Sequence, residues 1–295
     1  MPLIKIIGLM VILSLWGGGG AVYGQAREQV ASVGNCSDQW LLGLADDDQI
    51  AALSPESVQA FSYQHQRAKT LKQHDDSLEG LYQIKPDWVL HLGWGETLMV
   101  SRLKEMGMTV HSLPIPQSID DMMTTLETIG RLLGQDQRAT SYISKLSNLK
   151  KMTGQLGRQQ TALYLSPSGI STGRQTYIGE VISLAGYQNY LDSEEELGWS
   201  QIDLEQLASD PPDLIVASFF DVQQGMADSW RLGQHPVIQS LKGKTRFVHV
   251  PANLLSCPTW QVLDAVSLIN NQQYESLNKA LRAADSRLKS QGGGR

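Results

Sequence analysis

Two glutamates, Glu79 and Glu205, occupy the same place in a short segment that the chain contains twice. The segment reads SLEGLYQIKPDWVL at residues 77–90 and DLEQLASDPPDLIV at residues 203–216. A carboxylate near the start of a helix interacts favourably with the helix dipole. The second interpretation is a matched pair of surface charges, one on each of two similar lobes, and the repeated segment leaves both interpretations open.

The elements around each glutamate follow from the spacing of apolar residues and prolines. Leu78, Leu81 and Ile84 recur at helical spacing. Pro86 ends that helix, because the residue before a proline is pushed out of the α region. The apolar runs WVL and LIV that follow are typical of buried strands in a parallel sheet. Each copy is therefore predicted to be a helix, a tight turn and a core strand.

The chain has two cysteines, Cys36 and Cys257. In an oxidising compartment they can form one disulfide that ties two lobes together, and two unpaired thiols are the alternative. Without a CxxC spacing, a metal site made by these two residues is not expected.

The six histidines leave one metal-site hypothesis open. His91, His111 and His249 lie on or near predicted strands, so a three-histidine site is conceivable, although no two histidines have the i, i+4 spacing of a helical metal site. An exported hydrolase is the enzyme alternative. SPSGIS is not interpreted as a GxSxG nucleophile elbow, the chain has no HExxH and no Gly-rich phosphate loop, and Ser168 is interpreted as a turn residue. We therefore expect a binding protein without a resident cofactor rather than an enzyme.

The first 26 residues have the character of a signal peptide. Lys5 precedes the apolar run IIGLMVILSLW, which is too short to span a bilayer, and small residues follow up to a cleavage site near Ala26. An uncleaved anchor is the alternative. The rest, with 41% hydrophobic and 18% charged residues, has the composition of a folded globular protein. The net charge of −6 argues against nucleic-acid binding. We expect a periplasmic, soluble monomer that does not insert into the membrane after cleavage.

Strand and helix patterns alternate along the chain, which predicts an α/β protein of two Rossmann-like lobes with mainly parallel sheets. The expected divisions are a signal peptide (1–26), an N-terminal lobe (27–117), a helical connector (118–157), a C-terminal lobe (158–288) and a flexible tail (289–295). Within these, helices are expected from about Ser37, capped by Ser37 or Asp38, and from about Thr259 to Leu288.

A ligand is expected in the cleft between the lobes, because open α/β sheets bind ligands beyond the carboxyl ends of their strands. The candidate ligand-binding residues lie in or beside the segments predicted there: Cys36, Trp94, Arg174, Tyr177, Trp199, Asn253 and Cys257. Arg174 could pair with a carboxylate or phosphate, and the two tryptophans could form flat walls. The alternatives are a solvated loop arginine and ordinary packing of the tryptophans.

The combination of these residues resembles the helical-backbone class of periplasmic binding proteins for ABC importers, which carry vitamin B12, ferric siderophores or haem. The resemblance spans roughly residues 30–285. It depends on the repeated segment, on GMTVHSLPIPQSIDDM at residues 107–122 and on SPSGISTGRQTYIGEVISLAGYQNYL at residues 166–191.

The resemblance implies a function for several residues. Glu79 and Glu205 match acidic residues that dock on basic residues of the importer's membrane subunits. In LGWSQIDLEQ, Trp199 matches a cleft tryptophan of the vitamin B12-binding members, and Trp94 lies within two positions of another. Two further aromatic residues of that cleft have no counterpart, since ALSPES and KQHDDS stand in their place. The implied solute is a cobalt or iron chelate, captured without chemistry and with small lobe motion. Haem and free metal ions are the alternative ligands.

Overall fold

The computed structural model describes residues 27–93, 97–154, 160–166, 168–173, 175–192, 198–219, 235–241 and 243–270. Within these ranges the chain forms two parallel four-stranded sheets with helices between them. The expected α/β architecture of two lobes is confirmed. The predicted signal peptide, the tail, Trp94 and Arg174 lie outside the described residues.

The first sheet has the strand order β2-β1-β3-β4, all parallel. Its elements, in chain order, are β1 (Val30–Val33), α1 (Asn35–Leu44), β2 (Ile50–Ala52), α2 (His65–Ala68), α3 (Leu78–Ile84), β3 (Trp88–Leu92), α4 (Leu98–Glu105) and β4 (Val110–Leu113). The central strand β3 is buried along its whole length, as its apolar run predicts.

Two long helices follow the first sheet, namely α5 (Ile119–Leu132) and α6 (Asp136–Gly154). Ser118 begins α5 with a capping box, because its hydroxyl accepts from Asp121 N and the Asp121 carboxylate accepts from Ser118 N. Gly134, at φ 66°, separates the two helices. The helical connector predicted from the sequence is therefore present.

The second sheet has the order β10-β9-β5-β7, again all parallel, and a two-stranded antiparallel sheet of β6 and β8 lies beside it. The elements are β5 (Thr161–Leu165), β6 (Ile170–Thr172), α7 (Tyr177–Leu184), β7 (Gln188–Asn189), β8 (Trp199–Gln201), α8 (Leu204–Ser209), β9 (Leu214–Phe219), α9 (Pro236–Leu241) and β10 (Arg246–Pro251). A last helix, α10, occupies residues 262–270 at the end of the described chain. The antiparallel pairing of β6 with β8 was not predicted.

The predicted cap of the first helix is wrong. Helix α1 begins at Asn35 after Gly34, which has φ 85°. The Ser37 hydroxyl instead accepts from Leu92 N at 2.8 Å, and the Asp38 carboxylate is buried against Ser32 and Ser54. Both polar side chains therefore hold strand ends together rather than capping a helix.

Both copies of the repeated segment fold alike. Helix α3 is capped by Ser77 and α8 by Asp203, and each helix leads through a short turn into the central strand β3 or β9. Leu81 and Leu207 are the fully buried residues of the two helices. Within the described ranges, no helix combines the length and the apolar character needed to cross a bilayer.

Candidate functional site

The two docking candidates lie at the same edge of their sheets as the predicted ligand cleft. Helices α3 and α8 each run into the following strand through a short turn, so their first residues stand at the strands' carboxyl ends. Glu79 and Glu205 lie in the first turns of these helices and both are exposed. The fold therefore gives the two carboxylates equivalent places beside the edge where open α/β sheets bind ligands.

Trp199 is an exposed aromatic side chain at the carboxyl edge of the second sheet. It lies on β8 opposite Thr172 of β6, and its side chain is 50% exposed. The buried Tyr164 ring of β5 meets it edge to face, with ring centroids 6.3 Å apart. Burial raises the pKa of the Tyr164 phenol. Trp199 thus packs on Tyr164 along one side, and the rest of its ring is free to contact a flat, apolar ligand.

Cys36 and Cys257 form a disulfide, with sulfur atoms 2.08 Å apart. Cys36 lies in the first turn of α1, and Cys257 follows the turn after β10. The bond therefore links the strand-carboxyl edges of the two sheets, and the alternative of two unpaired thiols is not what the chain adopts. The pairing also agrees with an oxidising, extracytoplasmic compartment.

A cluster of aromatic rings reinforces that link. Trp260 stacks on Tyr142 of α6, with centroids 5.1 Å apart, and meets Tyr63 edge to face at 5.5 Å. The Trp260 indole also donates to Gln39 O of α1 at 3.4 Å. A Cβ on Gly43 would lie 1.8 Å from the indole nitrogen, so only glycine allows this approach. The segment after β10 is therefore fixed on both α1 and the connector.

Tyr177 and Asn253 lie near that segment as well. Tyr177 begins α7, is 9% exposed, and its hydroxyl donates to Leu255 O at 2.5 Å. Burial raises its phenol pKa. Asn253 is half-buried in the turn of residues 252–254, and its carbonyl accepts from Gln261 at 2.8 Å. Tyr177 thus uses its hydroxyl within the protein, and its contact with a ligand stays a prediction.

A buried carboxyl group, Asp38, lies where β1 and β2 end. Its oxygens accept from the Ser32 hydroxyl at 2.5 Å, from Ser54 N at 2.9 Å and from the Ser54 hydroxyl. Burial raises the pKa of Asp38 to about 7, and the nearby Glu56 charge adds to this effect. The sequence does not predict the burial of Asp38, because an acidic residue early in a helix is usually exposed.

Two cavities among the described residues lie away from the strand-carboxyl edges. One of about 770 Å³ surrounds the end of α1, where the Arg67 guanidinium donates to the carbonyl of Leu42 and Arg138 donates to that of Leu44. Arg138 also lowers the pKa of Asp46 to about 2 by hydrogen bonding. These guanidinium groups stabilise the end of a helix, so we do not assign a ligand to this cavity.

The three-histidine metal site is not formed by the described residues. His91 bonds to the Ser112 hydroxyl at 2.9 Å, and His111 packs edge to face on Trp88. The strand register pairs His91 with Ser112 and Leu90 with His111, which places the two histidines on opposite faces of the first sheet. No group of three or more His, Cys, Asp or Glu in the described part of the chain is arranged to hold a metal ion.

Two parallel sheets joined by two long helices are the architecture of the two-lobed α/β solute-binding proteins. The family model for periplasmic binding proteins matches residues 30–266, and the chain belongs to that family. The expectation of a binding protein rather than an enzyme is confirmed by its relatives.

Three comparisons illustrate the relationship. A cobalamin-binding protein of Halobacterium salinarum is 26% identical over 146 residues, 48% of this chain and 40% of that protein. An uncharacterized ABC transporter substrate-binding lipoprotein of Bacillus subtilis is 23% identical over 157 residues, 48% of each chain. A periplasmic haem-binding protein of Pseudomonas aeruginosa has the same fold, with a TM-score of 0.65 and 20% identity over 85% of this chain and 94% of that one. The matches thus span less than half the length of the two curated relatives.

Proposed function

We propose that this protein captures a cobalamin-like corrinoid or a ferric siderophore outside the cytoplasmic membrane and delivers it to the membrane subunits of an ABC importer. The observation that carries the proposal is the exposed, supported Trp199 at the strand-carboxyl edge of a two-lobed fold. Haem is the second candidate ligand, because it too is a large, flat chelate.

The corrinoid is the first choice for two reasons. One sequence relative, from Halobacterium salinarum, is a cobalamin-binding protein. The segment LGWSQIDLEQ, which contains Trp199, resembles that of vitamin B12-binding members of the family. An aromatic face buries a large area of a flat ligand at little cost in side-chain entropy. The fold shared with a haem-binding protein favours neither chelate.

Delivery requires the loaded protein to dock, and Glu79 and Glu205 suit that role. They are exposed carboxylates at equivalent places on two lobes, in the first turns of the helices that lead into β3 and β9. Two separated charges define the orientation of a partner better than one charge does. In this proposal, cationic side chains of the membrane subunits meet one glutamate on each lobe.

Ligand capture is tested by tryptophan fluorescence of the mature protein titrated with cyanocobalamin, haemin and a panel of ferric siderophores. Because the mature protein keeps all of the chain's seven tryptophans except Trp16, the Trp199→Phe variant isolates the contribution of Trp199, and N-acetyltryptophanamide controls for light absorbed by the chelates. We expect saturable quenching by cyanocobalamin that is smaller in the variant. Saturable quenching by haemin alone would make haem the ligand, and no response to any chelate would contradict capture.

A further inference from the structure

The turn that leads into α3 is anchored to the first sheet. Beyond the end of β2, Leu53 N donates to Lys72 O and His74 N donates to Leu53 O, both at 2.9 Å. Leu53 and Gln73 thereby form a parallel bridge. The chain thus lies along the carboxyl edge of the sheet immediately before it turns into the helix that carries Glu79.

The His74 side chain extends this anchor to β1. The residue is 5% exposed, and both ring nitrogens have partners: Nε2 lies 2.8 Å from Ser32 O, and Nδ1 lies 3.0 Å from Asp76 N. Since a backbone amide can only donate, Nδ1 is the acceptor. Nε2 therefore carries the proton and donates to the Ser32 carbonyl.

Strand pairing explains why the Ser32 carbonyl accepts a side chain. Strand β2 pairs with β1 as far as Ala52, which lies opposite Ala31. Ser32 comes one residue later, and its hydroxyl donates to the buried Asp38. His74 thus donates to a backbone acceptor at the end of β1, next to the buried Asp38 carboxyl group.

A short series of hydrogen bonds connects this anchor to the first turn of α3. Asp76 has φ 60°, a left-handed conformation held by the bond to His74. The Asp75 carboxylate accepts from both the amide and the hydroxyl of Ser77, and Ser77 Oγ accepts from Gly80 N at 2.9 Å. A Cβ on Gly80 would lie 2.0 Å from the Asp75 carboxylate. The backbone on both sides of Glu79 is therefore fixed.

The second lobe reaches the same result by other means. The caps Ser77 and Asp203 are equivalent, and three residues before them stand His74 and Ser200. Ser200 lies on β8, paired with Ser171 of β6, and Ile202 N donates to Gly169 O at 3.0 Å. The Ser200 hydroxyl is buried without a hydrogen-bond partner among the described residues. Backbone pairing of β8 with β6 thus positions α8, whereas the His74 side chain adds to the backbone bridge that positions α3.

We propose that His74 is a positioning residue for importer docking, holding the turn from which α3 presents Glu79 through its bond to Ser32 O. The inference rests on the proposed docking function. His74 is buried and is not itself a docking charge. Its effect in this proposal is on affinity for the importer and is separate from ligand capture.

The test compares His74→Ala, His74→Gln and Ser200→Ala in the full mature protein. A glutamine can place its side-chain amide where Nε2 of histidine lies and so donate to Ser32 O, while Ser200→Ala is the matched control in the second lobe. Two affinities are measured for each variant: that for cyanocobalamin and that for the importer reconstituted in nanodiscs. Hydrogen exchange of the Asp76 and Gly80 amides reports the local structure.

We expect His74→Ala to weaken importer binding about tenfold, the effect of one lost buried hydrogen bond, while cyanocobalamin affinity changes less than about twofold. Exchange at Asp76 and Gly80 should accelerate. His74→Gln should restore most of the importer affinity, and Ser200→Ala should behave as the wild type.

Three outcomes would overturn the inference. If His74→Ala binds the importer normally while Glu79→Ala does not, His74 has no positioning role and the docking proposal stays intact. Equal losses of importer and cyanocobalamin affinity would indicate a general structural role. If the Glu79→Ala, Glu205→Ala double variant binds the importer normally, the docking proposal is wrong, and so is this inference.

Discussion

Asp87 and Asp213 make the same contact in the two lobes. The Asp87 carboxylate accepts from Gln29 N, just before β1, at 2.6 Å, and that of Asp213 accepts from Thr161 N, the first residue of β5, at 2.8 Å. Each aspartate immediately precedes an inner strand of its own sheet, β3 or β9, and accepts a hydrogen bond at the start of the neighbouring strand. The identity of these residues in the repeated segment therefore has a structural cause that is independent of the glutamates.

The first prediction concerns this pair. Asp87→Ala and Asp213→Ala should each lower the free energy of unfolding by about 1–2 kcal/mol, because each leaves a backbone amide without its charged acceptor. Urea unfolding measures the change, with Gln83→Ala, an exposed position on α3, as the control. An effect in one lobe but not in the other would show that the two contacts are not equivalent.

The repeat also shows how much of the fold the sequence predicts. Leu78, Leu81 and Pro86 were sufficient to predict α3 and the start of β3, because apolar spacing and proline act locally. The antiparallel pairing of β6 with β8 was missed, since the two strands are short and lie far apart along the chain. Pairing over such a separation depends on the tertiary structure rather than on local pattern.

The candidate site was predictable to a different degree. The glutamates and Trp199 were found from the repeat and from family resemblance, and the structure describes all three as exposed. Asp38 and His74 were missed, because nothing in the sequence distinguishes a buried, fully bonded polar side chain from a surface one. Whether Cys36 and Cys257 pair was left open, since connectivity depends on how the two lobes meet.

The second prediction concerns ligand contact. Trp199→Ala should weaken cyanocobalamin binding by about tenfold or more, as expected for an aromatic side chain that contributes strongly to binding. Its thermal midpoint should change little, because the side chain is half exposed. Tyr82→Ala is the matched control, since Tyr82 is equally exposed, at 51%, on α3. Isothermal titration calorimetry measures the cyanocobalamin affinity of both variants, and thermal unfolding measures their midpoints. Equal affinities for the two variants would place the ligand elsewhere.

The third prediction concerns the disulfide. Replacing both Cys36 and Cys257 by serine should lower the free energy of unfolding by about 2–4 kcal/mol, because the bond closes a loop with a sequence separation of 221. Trp260 should keep the lobes in place, so the radius of gyration from X-ray scattering should not change. An expanded variant would show that the aromatic contacts do not hold the lobes without the disulfide.

The fourth prediction concerns pH. The pKa of Asp38 is raised from its usual value of 3.8 to about 7, so the protonated group favours the folded state. Its contribution is complete below about pH 4 and is lost as the pH rises through about 7. Between pH 5 and pH 8 the free energy of unfolding should fall by an amount on the order of 2–3 kcal/mol from this group.

Asp38→Asn separates this effect from other titrating groups. An asparagine can still bond to Ser54 but does not ionise, so the difference in unfolding free energy between wild type and variant should change with pH in the stated direction. A difference that is constant from pH 5 to pH 8 would show that Asp38 does not titrate there.

In the proposed function, one glutamate on each lobe brings the loaded protein to its importer. The most direct measurement is cyanocobalamin uptake by proteoliposomes that contain the importer, supplied with wild-type protein or with the Glu79→Ala, Glu205→Ala double variant. We expect uptake with the wild type and a loss of at least about tenfold with the double variant, while its cyanocobalamin affinity and thermal midpoint stay unchanged. Undiminished uptake with the double variant would contradict the claim.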